Sequence, residues 1–108
     1  MFRKSENRQA PRRNVLWGAR LANLDGSRYL RCLARDISVS GARVDIESQT
    51  FPEERAWFLD LRGRMAYEAK VVWQKAPELG LQFVRGYRLD EVPVRAIGRH
   101  IESEMHGP

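Results

Sequence analysis

The sequence predicts a mainly β domain: six short antiparallel strands in a barrel or sandwich, followed by one C-terminal α-helix. Three observations predict it. Apolar and polar residues alternate with period two in short runs between Val15 and Phe83. Turn-forming groups, among them Asp25-Gly26, Ser38-Val39-Ser40-Gly41 and Arg62-Gly63-Arg64, separate the runs at regular spacing. After Tyr87 the apolar period changes to three or four.

Residues 1–13 are polar and charged without periodicity, and Pro11 holds Ala10 to extended geometry. They read as a flexible basic arm, followed by a β body over 14–87 and a helix over 88–106. The first strand, Val15–Leu24, contains Trp17 and Leu21, with Gly18 as a candidate bulge or close-approach site. Asp-Gly at 25–26 is a hairpin signal. In the second strand Leu30, Cys32 and Ala34 share one face, and Arg31, Leu33 and Arg35 the other. Ala42, Val44 and Ile46 alternate with Arg43 and Asp45 in the third. Residues 47–55, with Pro52, read as a loop. Trp57, Leu59 and Leu61 then alternate with Phe58 and Asp60. Met65, Tyr67, Ala69, Val71 and Trp73 alternate with Ala66, Glu68, Lys70 and Val72. Leu79, Leu81 and Phe83 alternate with Gly80 and Gln82 in the last strand. Asp90 is a candidate helix cap and Pro93 suits a first turn. Val94, Ile97, Ile101 and Met105 form the helix's apolar stripe, which fits packing on the β body, an open barrel end or a partner chain.

The chain has 108 residues, 43% hydrophobic and 31% charged, enough for one domain with a small core. No run of eighteen apolar residues exists, so no helical membrane span is expected. No apolar stretch follows the N-terminal charges, so they do not form a secretory signal. The single cysteine, Cys32, excludes a disulfide framework and fits a reducing cytoplasm. The net charge of +5 is unevenly spread. Up to residue 35 the bases Arg3, Lys4, Arg8, Arg12, Arg13, Arg20, Arg28, Arg31 and Arg35 face only Glu6 and Asp25. Such asymmetry suits an anionic partner, and arginine can grip phosphate with two hydrogen bonds or stack on a base. The plainer reading of any one of these arginines is solubilising surface charge.

Two short patterns carry chemistry. In RQAPRR, Arg8 and Arg12 stand four apart with Arg13 beside them, a spacing that lets an arm close on a compact dianion from two sides. Asp36-Ile37-Ser38-Val39-Ser40-Gly41 puts an acid, a hydroxyl and a glycine at a strand-to-strand corner. The aspartate's two oxygens suit the N1–H and N2–H₂ donors of guanine. The serine can serve phosphate or hold the turn. The glycine allows positive φ or close backbone approach. The alternative is an ordinary turn whose side chains bond their own backbone.

RxxxR, then DxSxxG entering a strand, then a late strand pair ending VVW and LGLQF, together resemble the PilZ domain over roughly residues 8–105. The resemblance implies a six-stranded antiparallel β-barrel with a trailing helix. It also implies a stand-alone, non-enzymatic, cytoplasmic bacterial receptor for the second messenger cyclic di-GMP, with no cofactor besides that ligand. By the same resemblance Arg8 and Arg12 wrap the ligand, and Asp36, Ser38 and Gly41 form the second motif. Trp73 stands where some members place a tryptophan on the barrel surface, its alternative being a core aromatic. Many members have a further arginine where this chain has Asn7, and Arg13 is the candidate substitute. Residues 47–55 also lack the glycine often seen before the next strand. An unidentified downstream effector protein would read the bound state.

Other chemistries find little support. His100 and Glu104 stand four apart without a third metal ligand at useful spacing. There is no GxxxxGK[ST] phosphate loop and no nucleophile–base pattern around Cys32. The main competing reading is a PilZ-fold protein-interaction adaptor that does not use the nucleotide. A nucleic-acid-binding barrel is disfavoured, since few aromatics are spaced along a basic strand face.

Overall fold

The computed structural model describes residues 13–47 and 53–105. Six strands follow in chain order: β1 (Arg13–Ala22), β2 (Tyr29–Ile37), β3 (Gly41–Ile46), β4 (Arg55–Asp60), β5 (Met65–Lys75) and β6 (Glu78–Arg88). A 3₁₀ turn (Leu89–Glu91) and helix α1 (Arg95–Met105) complete the described chain. Every ladder is antiparallel, and the strand order β1-β2-β3-β6-β5-β4 closes on itself. Closure depends on three pairs between β1 and β4: Arg20 with Leu59, Leu21 with Phe58, and Ala22 with Trp57. The body is therefore a barrel, not a sandwich.

Period-two alternation fills the barrel. Leu21, Val44, Phe58 and Leu79 are fully buried inside it, with Cys32, Ile46 and Leu81 around them. Phe58, Tyr67 and Phe83 stack on one another, with the Tyr67 and Phe83 centroids 4.0 Å apart. Burial pushes the Cys32 thiol up to about 12, so it stays protonated and serves as a small apolar side chain. In β4 the alternation holds but both faces are covered. Phe58 points into the barrel, whereas Trp57 and Leu59 meet Ala66, Leu89, Ile97 and Ile101 beneath α1.

The apolar stripe of α1 thus packs on the barrel's outer wall. Val94 and the fully buried Ile97 lie against it, while Met105 at the far end is exposed. The helix starts later than Asp90 would place it, and Asp90 lies in the 3₁₀ turn instead. Pro93 is the physical reason: it disfavours helical geometry at Val92, which is extended. The first helical hydrogen bond runs from the Gly98 N–H to the Val94 carbonyl.

A polar clasp ties α1 to the β1–β2 hairpin. Asn23, Asp25 and Ser27 bond within the turn, and Gly26 at φ 79° packs against Ala96 and Ile97. Arg20 grips the Glu104 carboxylate through two nitrogens, and the Tyr29 hydroxyl donates to it at 3.0 Å. The His100 ring stacks on Tyr29 at 4.0 Å, and its Nε2 lies 3.1 Å from the Gly26 carbonyl oxygen. His100 and Glu104 therefore each hold the helix to the hairpin. The hydrogen bond from Arg20 holds the Glu104 carboxyl below its ordinary value of 4.5, against the effect of burial and with help from Tyr29. The folded state favours the carboxylate, so this stabilisation is present above the ordinary value and is lost as pH falls through the depressed one. Between about pH 5 and pH 3 the wild-type melting temperature should fall more steeply than that of Glu104→Gln. Parallel curves would show that the clasp contributes nothing.

Candidate functional site

The corner between β2 and β3 is built from its own turn bonds. The Ser38 N–H donates to the Gly41 carbonyl at 2.8 Å. The Ser40 N–H donates to Ser38 Oγ at 3.2 Å, and the two hydroxyls lie 3.1 Å apart. Ser38 Oγ thus takes part in holding the turn. Gly41 serves close approach, since its φ is not positive. A Cβ there would stand 2.1 Å from the Leu81 carbonyl oxygen, in the tight seam where Gly41 pairs with Gln82 and the Phe83 N–H donates to the Ser40 carbonyl.

Register brings the acid of this corner into line with the tryptophan. Asp36 pairs with Arg43, Arg43 with Gly80, and Gly80 with Trp73, in one lateral row across β2, β3, β6 and β5. Residues opposite one another in a ladder share a face. The neighbours Val44 and Leu79 point inward, so this row lies on the outer wall. Three strand spacings separate its ends, about 14 Å.

Two bulges place those ends. Strict alternation from Ala34 would turn Asp36 inward, and strict alternation from Val71 would turn Trp73 inward. A register shift between Ala34 and Asp36 leaves Arg35 as the extra residue, and another between Val71 and Trp73 leaves Val72. Each re-aims the next side chain outward. Trp73 is accordingly 42% exposed, which overturns its core reading and the unbroken alternation expected along β5. The irregularity expected at Gly18 also lies elsewhere, between Asn14 and Trp17, because Gly18 pairs regularly with Leu33.

The row is charged and braced. Arg43 Nε donates to Asp36 Oδ2 at 2.9 Å, and its other arm reaches Glu78 at 3.4 Å. The hydrogen bond to Asp36 raises the Arg43 pKa above its ordinary value. Asp36 itself is only 7% exposed. Beside the row, Arg35 bonds Asp45 at 2.9 Å.

Arg8 and Arg12 lie outside the described residues. Arg13 opens β1, its backbone opposite Ile37, and Asn14 stands opposite Asp36. The basic segment therefore joins the barrel at the corner that carries Asp36 and Ser38.

The family model for the PilZ domain matches residues 6–103. The chain belongs to the PilZ domain family. PilZ domains are known as receptors of cyclic di-GMP, binding and effector modules rather than enzymes. A comparison with curated proteins finds no match. No helix among the described residues is long and apolar enough to cross a membrane. The pattern of this PilZ chain gave two residues of the row, Arg43 and Gly80, no place in the site. Arg43 was findable, as the outward residue of GARVDI closest to a tight corner that carries an acid. Gly80 had no signal beyond being a glycine in a strand.

Proposed function

We propose that this PilZ domain is a cytoplasmic receptor that binds cyclic di-GMP on the outer wall, along the row from Asp36 to Trp73. The observation that carries the reading is that row: an acid and an exposed indole on one face, at the corner where the basic segment joins. The Asp36 carboxylate supplies the acceptors for guanine N1–H and N2–H₂ that arginine lacks. Trp73 offers a flat apolar face to a base or sugar. Arg8, Arg12 and Arg13 supply bidentate donors for phosphate or for the guanine O6/N7 edge. Ser38 and Gly41 hold the corner itself. No cofactor is needed.

Binding orders the N-terminal arm over the wall and changes the surface offered to a downstream protein. Fixing each arm residue costs about 1–2 kcal/mol, which charge-assisted hydrogen bonds of about 1.5–3 kcal/mol each must offset. Isothermal titration should give saturable binding at roughly micromolar ligand or below, weakening as salt rises. No saturable heat at tens of micromolar ligand would remove the proposal and leave the adaptor reading in its place.

A further inference from the structure

Between Asp36 and Trp73 the row holds two residues that the ligand chemistry itself does not call for. A Cβ on Gly80 would stand 2.1 Å from the Trp73 Nε1, 2.3 Å from Cε2 and 2.6 Å from Cδ1. The indole therefore lies flat on the β6 backbone, in space that any other residue would fill. Glycine in a strand interior loses packing and often marks close approach by another group. Here the approaching group is the exposed aromatic ring. The flanking Leu79 and Leu81 are buried and fix the strand's register without help from Gly80. At the other end of the row, Arg43 bridges the Asp36 carboxylate to Glu78 on β6.

We infer that Gly80 and Arg43 are positioning residues, Gly80 seating the Trp73 indole flat on the wall and Arg43 fixing the Asp36 carboxylate, so that both ends of the nucleotide site are set before the ligand arrives. The inference rests on the proposed reading of the site and adds which residues preset it. Preset geometry helps because side chains ordered in the free protein need not be ordered on binding. Added bulk at Gly80 pushes the ring off the wall toward open solvent, so the cost falls on the site and not on the barrel.

Double-mutant cycles test this on the full chain with cyclic di-GMP as the probe. Gly80→Ala should weaken binding about tenfold in the wild-type background and hardly at all beside Trp73→Ala, the coupling expected of touching residues. Arg43→Gln should behave likewise beside Asp36→Asn. In the free protein, Trp73 emission (wild type minus Trp73→Phe) should be quenched more readily by acrylamide once Gly80→Ala is introduced. Melting temperatures should stay within a few degrees, showing that the barrel persists. With wild-type binding intact, equal losses in both backgrounds or unchanged quenching overturn the inference alone. Absence of wild-type binding overturns the reading of the site beneath it.

Discussion

Arg12→Ala is expected to weaken cyclic di-GMP binding by at least about a hundredfold, with the circular dichroism spectrum unchanged. The size follows from what the guanidinium supplies. Two charge-assisted hydrogen bonds to phosphate or to a guanine edge are worth about 1.5–3 kcal/mol each, and a factor of ten takes about 1.4 kcal/mol. Alanine replaces neither bond. The spectrum should hold because the ladders of the described residues, from Arg13 onward, carry the barrel. Asp36→Asn serves as the paired measurement on the wall: it removes the charge that Arg43 and the ligand share while keeping the side chain's shape. The salt dependence should also become shallower in Arg12→Ala, because one cation fewer meets the ligand. Full-strength binding by Arg12→Ala, or by Arg8→Ala and Asp36→Asn together, would show that the nucleotide binds elsewhere.

Much of the barrel was legible because burial leaves a period in the residues. Ala42, Val44 and Ile46, then Leu79 and Leu81, alternate inward as the pattern requires. Asp25-Gly26 and Ser40-Gly41 mark real corners. Ile97 and Ile101 mark the covered face of α1. What stayed hidden has a common cause. A bulge adds one residue without changing composition, so nothing in the runs around Arg35 or Val72 announces that the face switches there. Yet those switches decide that Asp36 and Trp73 share the outer wall. The motif DxSxxG likewise named its residues but not their tasks. The turn bonds put its serine in the corner, and the register puts its glycine in the seam and its acid on the row. His100 and Glu104 were legible as polar residues and not as a metal pair, but their role in the clasp was not, because Arg20 and Tyr29, which bond Glu104, are distant in sequence.

Gly41→Ala should cost the fold more than the site. The added methyl would meet the Leu81 carbonyl oxygen at 2.1 Å, with the Leu81 carbonyl carbon at 3.2 Å and Gln82 Cα at 3.4 Å. All three are backbone atoms inside the β3–β6 ladder, and none can swing away as a side chain can. The strands must part where Gly41 faces Gln82, straining the neighbouring bonds from the Ser38 N–H to the Gly41 carbonyl and from the Phe83 N–H to the Ser40 carbonyl. Overpacking of this kind costs about 1–3 kcal/mol, and at roughly 4–8 °C per kcal/mol for a domain of this size the melting temperature should fall by roughly 5–20 °C. Gly80→Ala supplies the contrast, because there the same methyl meets an indole with open solvent beyond it. One glycine of the wall is needed so that two strands can touch, and the other so that a ring can lie flat. A thermal melt separates the two tasks. If Gly41→Ala melts within a few degrees of wild type, the seam between β3 and β6 is looser than its geometry states, and the glycine of DxSxxG must owe its place to the ligand instead.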